Sequence, residues 1–243
     1  MTFAGPNSER QPFPVIMRGK ALHEVAIELA KSKQTVLPIQ IGMNTLELRS
    51  FLTAVQKMKH LKGQIVYMLD GSAQTPFSLD NNEIDILVFT HDQIPLTFQE
   101  QYAEHRYQHI RAVVPILKGD ITGHRKKWSP AFFPGSWRTF TWPSWHERSE
   151  DQTALIEAMY ERISPRDRYP MPKLEESAVS FLRHEDFQGT DQVRMSLNNA
   201  VHQYFKAERK TGRLTDVFFT PHAERSPRSS RRGIVLATSG RSD

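Results

Sequence analysis

The sequence contains no cysteine, and this absence removes several classes of protein at once. Without a thiol there is no disulfide framework, no thiolate-bound metal and no cysteine nucleophile. Any chemistry therefore falls to hydroxyl side chains or to acid–base pairs.

Long apolar runs are missing as well. No stretch approaches the roughly 18 apolar residues that a membrane span needs. The first 20 residues also lack the apolar core of a secretory signal. We therefore expect a cytoplasmic protein.

The familiar signatures of cofactor and metal sites are absent too. Neither GxGxxG nor GxxxxGK[ST] occurs, so no motif supports dinucleotide or P-loop binding, and we expect no cofactor. His105 and His109 stand four positions apart on a predicted helix, but no HExxH pattern accompanies them. We expect no metal site.

What is present is a regular alternation of extended and helical segments. The predicted strands are 35–41, 64–69, 84–89 and 111–117. The predicted helices are 20–32, one starting near Asn44, 98–109, one starting at Ser149, 173–184 and 191–208. Glu47 follows Asn44 at the spacing of a capping box, as Gln152 follows Ser149. The order strand, helix, strand indicates a parallel, right-handed unit.

The expected fold class is therefore α/β, with a Rossmann-like, mostly parallel sheet flanked by helices. At 243 residues, of which 38% are apolar, the chain can form one core. We expect a single domain over 1–224, opened by an N-terminal arm over 1–14. The segment 225–243 reads as a basic tail of low complexity.

Positive charge is concentrated at the carboxyl end. Residues 209–243 hold eight Lys or Arg against three Asp or Glu, a balance of +5. The formal net charge of the whole chain is also +5, so the remainder is neutral. Such a distribution is compatible with a nucleic-acid partner.

The turn after the first strand is the first candidate site. In an open parallel sheet, ligands bind beyond the carboxyl ends of the strands, where helix N-termini offer N–H groups. Ile41, Gly42 and Asn44 lie at such a point, and Gly42 permits close approach of a ligand. The alternative is that Gly42 is a turn residue and Asn44 a helix cap.

The second candidate site is the end of helix 191–208. Its apolar stripe at spacings of three and four comprises Val193, Leu197, Ala200, Val201 and Tyr204, and Glu208 continues it. A partly desolvated carboxylate beside Tyr204 is suited to proton transfer. Alternatively, Glu208 is a solvated residue paired with Arg209 or Lys210.

Tyr204-Phe-Lys-Ala-Glu208 followed by Asp216-Val-Phe-Phe is similar to the YxxxE helix and next strand of tRNA-dependent cyclodipeptide synthases. Within that family the chain resembles the fungal arginine-containing branch, whose members are of about this size. VLPIQIGMN and QIVYMLD resemble the family's first strand, Gly-x-Asn turn and second strand. The resemblance implies a core similar to that of class I aminoacyl-tRNA synthetases.

The resemblance also implies an aminoacyltransferase that joins aminoacyl groups from aminoacyl-tRNAs into a cyclic dipeptide. Tyr204, Glu208 and Asn44 would be the catalytic residues, while Ile41 stands where the family has its serine nucleophile. The substrate-binding residues would be Gly42, Ile41, Thr45 and Asp70. The tRNA-binding residues would be Arg125, Lys126, Lys127, Arg209, Lys210 and Arg213.

Two other interpretations stay open. IDILVF, RAVVPIL and WRTFTWPS resemble strands of a Toll/interleukin-receptor domain that signals or cleaves NAD, although the opening aspartate loop and WCxxE are missing. The other is a non-enzymatic nucleic-acid-binding module that uses the basic tail.

Overall fold

The structure is a computed structural model that describes residues 12–42, 46–68, 79, 83–90, 94–118, 123, 126–163, 170–207 and 212–219. The helices are α1 (Lys20–Lys31), α2 (Leu48–Met58), α3 (Leu96–Ala103), α4 (Ser149–Glu161), α5 (Glu176–His184) and α6 (Thr190–Lys206). The strands are β1 (Ile39–Ile41), β2 (Gln64–Met68), β3 (Ile84–Phe89), β4 (Ala112–Lys118), β5 (Phe140–Thr141), β6 (Lys173–Leu174) and β7 (Arg213–Leu214). Two 3-10 turns span His146–Arg148 and Asp216–Phe218.

Five strands form one sheet in the order β2-β3-β4-β1-β5, and every pairing in it is parallel. This arrangement confirms the predicted α/β class with a parallel sheet. β1 lies between β4 and β5, whereas in the 3-2-1-4-5 order of dinucleotide-binding folds the first strand neighbours the second. β6 and β7 form a separate two-stranded pair.

The predicted first strand is divided by Pro38, which has no N–H to donate. The Leu37 N–H donates to the Val113 carbonyl at 2.8 Å, and Val36 forms an isolated parallel bridge with Val113. Regular pairing with β4 and β5 then begins at Ile39. The whole predicted segment therefore follows β4, but only its last three residues form a strand.

Both predicted capping boxes are wrong. α2 begins at Leu48 rather than near Asn44, which lies outside the described residues, and Glu47 makes no capping hydrogen bond. α4 begins at Ser149 itself, with Arg148 as its N-cap residue, while the Gln152 amide donates to the Trp145 carbonyl at 3.0 Å. Glu47 instead pairs with Arg148, 101 positions away, and Gln152 contacts the segment that precedes its own helix.

The buried side chains form three clusters. From Ile86 to Phe89, successive side chains of β3 alternate between two of them, because neighbouring strand residues point to opposite faces of a sheet. One face packs against α1 and α2 through Leu22 and Phe51, and the other packs against α3 through Phe98. The third cluster joins α4, α5 and α6, here called the helical unit.

No helix among the described residues is long and apolar enough to cross a membrane.

We expect Gly63→Ala to lower the free energy of unfolding by about 1–3 kcal/mol, the usual cost of overpacking a tight site. A Cβ at Gly63, which directly precedes β2, would clash with the Glu83 carbonyl oxygen and lie 2.7 Å from the Asp85 carboxylate carbon. Backbone cannot move aside as a flexible side chain does, so β2 would have to shift against β3. Urea unfolding measures the change.

Gly135→Ala is the matched control, since a Cβ there would meet nothing within 4 Å. Its free energy of unfolding should stay within about 0.5 kcal/mol of the parent protein. Equal losses in the two variants would contradict the close approach of β2 to β3.

Candidate functional site

The turn after β1 packs against the start of α6. A Cβ on Gly42 would lie 3.3 Å from the Gln188 carbonyl oxygen, and the Leu46 N–H donates to the Thr190 hydroxyl at 3.2 Å. Ile41 is buried in the core beneath the sheet face that carries α1 and α2. The start of α6 therefore contacts the described residues on both sides of this turn, Gly42 and Leu46.

A buried ion pair stands at the end of this turn. Nη2 of Arg148 donates to Oε1 of Glu47 at 2.8 Å, and Nη1 donates to Oε2 at 3.2 Å. Only 1% of the Arg148 side chain and none of the Glu47 side chain is exposed. We call the main sheet with α1, α2 and α3 the sheet unit. The contact joins the start of α2 in the sheet unit to the start of α4 in the helical unit.

Asp151 extends the pair into a cluster. Its Oδ2 accepts from Nε and Nη2 of Arg148, both at 3.3 Å. Its Oδ1 accepts the N–H groups of Arg18 and Gly19 at 2.8 and 2.9 Å, directly before α1. A helix N-terminus favours negative charge, so α1 helps to balance the second carboxylate. We call Glu47, Arg148 and Asp151 the ion cluster.

The turn from β1 to α2 has the length of a P-loop but not its residues. In a P-loop, strand, GxxxxGK[ST] and helix follow one another. Counting from Gly42 after β1, Glu47 stands at the second glycine, Leu48 at the lysine and Arg49 at the serine or threonine. Of the four specified positions, only Gly42 is retained.

This replacement changes what the turn can bind. A P-loop cradles phosphate with backbone N–H groups and reaches it with the lysine. At the same place this chain has a carboxylate whose two oxygens are held by Arg148, and a leucine that carries no charge. A phosphate placed beside Glu47 would meet like charge, which is costly where water is excluded.

Tyr204 lies in the helical unit, away from the turn. Its hydroxyl accepts the Gly212 N–H at 2.8 Å, and its ring packs edge-on against Phe218. Thr190, which contacts the turn, is the first residue of α6, and Tyr204 follows it by 14 positions. At the helical rise of 1.5 Å per residue, the two are about 21 Å apart along the axis. The structure does not bring Tyr204 to the turn.

The other predicted site residues divide into two groups. Lys126, Lys127 and Arg213 are exposed, and Nε of Arg213 lies 3.8 Å from a Glu175 carboxylate oxygen. The predicted residues that lie outside the described residues are Asn44, Thr45, Asp70, Arg125, Glu208, Arg209 and Lys210.

The histidine pair does not lie on a helix. α3 ends at Ala103, His105 has a positive φ of 62°, and a ring nitrogen of His109 is 2.7 Å from the Leu79 carbonyl oxygen. Within the described ranges, no three His, Asp or Glu side chains are grouped as a metal site would need.

A cavity of about 390 Å³ lies elsewhere, between α2 and β2. It is lined by Pro12, Arg49, Thr53, Gln56, Ile65 and Tyr67. The Arg49 guanidinium carbon is 4.9 Å from the centre of the Tyr67 ring, and burial raises the pKa of Tyr67 to about 12. The cavity includes neither Gly42 nor Tyr204, so it is distinct from both predicted sites.

Sequence reasoning missed the ion cluster. A signal was present in α4, where Asp151 precedes Leu155 by four residues and so shares its apolar face. A carboxylate on that face must be buried, and a buried carboxylate needs a partner. Which arginine serves as the partner could not be read from local spacing.

No family model matches the chain, and no curated protein matches it at a significant level. Similar folds do occur among solved structures. NtrX from Brucella abortus, solved in complex with ADP, has a TM-score of 0.62 at 12% identity, over 86% of this chain and 56% of that one.

Two proteins of Thermotoga maritima are also similar. Domain III of the replication initiation protein DnaA has a TM-score of 0.50 at 12% identity, over 78% of this chain and 85% of that one. The RuvB Holliday junction branch migration motor has a TM-score of 0.51 at 7% identity, over 82% and 63%.

At these identities the likeness concerns the fold alone. This chain spans about half the length of the NtrX structures that it matches. Its fold is of the P-loop type of α/β domain, with a buried ion pair beginning where the motif would have its second glycine.

Proposed function

We propose that this chain is a nucleic-acid-binding module of the P-loop fold type that does not hydrolyse nucleotides. The observation that carries the proposal is the Glu47–Arg148 pair at the start of α2. An internal guanidinium–carboxylate contact holds the turn to the helical unit without any phosphate.

The chemistry of this pair supports the proposal that the chain does not hydrolyse nucleotides. NtrX has been solved with ADP and with ATP, whereas this chain keeps Gly42 but has Leu48 in place of the P-loop lysine. Opening the turn for a nucleotide would leave the buried Glu47 carboxylate without its partner, while Arg148 would keep Asp151. Removing one partner of such a pair costs about 3–5 kcal/mol, and a weak ligand does not supply that.

Charge supports nucleic acid as the partner. The +5 balance of residues 209–243 equals the net charge of the whole chain. Clustered Lys and Arg bind phosphates and release counterions, which gives affinity without sequence readout. Two proteins with a similar fold are a replication initiation protein, DnaA, and a Holliday junction branch migration motor, RuvB.

The test is titration of fluorescently labelled single-stranded and duplex DNA with the full chain at several salt concentrations. We expect log K to fall linearly with log salt, and the slope to decrease by up to about 3.6 when Arg225, Arg228, Arg231 and Arg232 become Gln, at roughly 0.9 per phosphate contact. ATP and ADP with Mg²⁺ should leave the melting temperature unchanged. Nucleotide hydrolysis, or no DNA binding by the parent chain, would overturn the proposal.

The cyclodipeptide synthase function stays a prediction, supported by the motif resemblance around Tyr204. Expression in bacteria would then release a diketopiperazine into the medium, detected by mass spectrometry and lost in Glu208→Gln. NAD consumption by the purified protein would instead favour the Toll/interleukin-receptor interpretation. Either product would replace the proposal of a non-enzymatic module.

A further inference from the structure

Basic side chains precede four of the five strands of the main sheet. Lys62 comes two residues before β2, Arg111 directly before β4, and Arg138 two residues before β5. Lys33 precedes the segment that bridges to β4 at Val36 and continues into β1. All four basic residues are exposed.

The topology places these residues in a row. In a parallel sheet the amino ends of all strands lie at the same end of the sheet, opposite the turn after β1. We call this end of the sheet the edge. From the order β2-β3-β4-β1-β5, the row reads Lys62, Arg111, Lys33, Arg138, with Glu83 before β3. Neighbouring strands are about 4.8 Å apart, so the row extends about 19 Å.

Several charges of this edge already have partners. Arg138 lies 3.2 Å from Glu28, yet both side chains are more than half exposed, so water weakens the pair. Glu83 accepts from the Gln64 amide at 2.9 Å. Lys59 is occupied within the fold, where its ammonium donates to three carbonyls at the end of α1 at 3.1 to 3.3 Å. Asp85, whose carboxylate accepts the Gly63 N–H, also lies here, so with Glu28 and Glu83 the edge holds three carboxylates against four exposed cations.

Backbone geometry marks the same edge. Among the described residues, the non-glycine residues with positive φ are His60 at 56° and His105 at 62°. Each lies two residues beyond a helix end, in the turns that enter β2 and β4, where glycine is usual. Both are exposed, and the left-handed conformation ends each helix so that the chain can turn into the next strand.

We propose that the edge formed by Lys62, Arg111, Lys33 and Arg138 is a contact surface for a nucleic-acid backbone. This inference rests on the proposed function and adds a folded surface to the basic tail. Each strand of B-DNA carries one phosphate per ~3.4 Å of helix axis, so a row of about 19 Å along that axis spans roughly five to six base pairs. A linear array suits a backbone, which repeats its charge along a line.

The experiment compares charge reversals on the full chain. Lys62→Glu/Arg111→Glu changes the edge, and Lys20→Glu/Lys173→Glu makes the same change in net charge at exposed residues elsewhere. We expect the edge variant to bind labelled duplex DNA at least about tenfold more weakly at low salt, and the control less than about threefold. Melting temperatures check folding, and Lys33→Glu/Lys62→Glu replaces the first variant if that variant unfolds.

The outcomes separate this inference from the function on which it rests. Equal losses in the edge and control variants would overturn the edge, because only net charge would then matter. Binding lost in the tail variant alone would also overturn it and would leave the proposed function standing. No DNA binding by the parent chain would overturn both. Equally tight binding of polyglutamate would assign the edge to an acidic protein and overturn the inference.

Discussion

Replacing Arg148 with methionine should lower the free energy of unfolding by about 3–5 kcal/mol, the cost of leaving a buried charge without its partner. Arg148 makes five hydrogen bonds, two to Glu47, two to Asp151 and one to the Ile16 carbonyl. Methionine fills much of the volume but donates none of them. Urea unfolding followed by circular dichroism measures the loss.

Two further variants test whether the loss in Arg148→Met comes from an unpaired buried charge. Arg194→Ala removes an exposed pair with Asp191, at 2.7 Å, and should cost at most about 1 kcal/mol. Glu47→Leu/Arg148→Met removes both members of the buried pair, so it should be more stable than Arg148→Met alone. A loss below about 1 kcal/mol in Arg148→Met would show that the ion cluster does not hold the two units together.

Trp145→Ala should also lower the free energy of unfolding by about 3–5 kcal/mol, as expected for truncation of a buried aromatic residue. Only 2% of Trp145 is exposed, its indole N–H donates to the Leu182 carbonyl at 3.0 Å, and its ring packs edge-on against Phe187. The truncation leaves a cavity where the segment after β5 meets α5. Thermal and urea unfolding report the change.

Trp145→Phe separates packing from hydrogen bonding. It keeps an aromatic ring but leaves the Leu182 carbonyl without its donor, so we expect a smaller loss of about 1–3 kcal/mol. Met195→Ala, at a side chain that is 52% exposed, serves as the control and should stay within about 0.5 kcal/mol. A loss in Trp145→Ala no larger than in this control would refute the packing role.

The sequence was informative where a pattern is local. β3 occupies Ile84–Phe89 as predicted, because a short apolar run of β-branched and aromatic residues has few alternatives to a buried strand. α1 also agrees to within one residue at its end. The α/β class followed from the alternation of such segments.

Strand order could not be predicted in the same way. β1 pairs with β4 and β5, which lie far along the chain, and no local pattern specifies those neighbours. The apolar stripe that includes Tyr204 was correct as a buried face of α6. Spacing shows which face of a helix is covered but not what covers it.

The ion cluster could not be predicted from the sequence for a related reason. Glu47 was interpreted through its near neighbour Asn44, at the spacing of a capping box, whereas its partner Arg148 is 101 positions away. Helix capping was a plausible role for the Glu47 carboxylate from its near neighbours alone. Its actual contact with Arg148 forms only when the helical unit packs on the sheet unit.

The long sequence separation of Glu47 and Arg148 also affects when the chain can complete its fold during synthesis. Arg148 follows Glu47 by 101 positions, so a chain emerging from the ribosome holds Glu47 without its guanidinium until more than half of this sequence has been made. At that stage α1, α2 and α3 are available to pack on the sheet, but β1 still lacks its neighbour β5. A fragment that stops after β4 should therefore aggregate more readily than the full chain, because the unpaired side of β1 can pair with another chain.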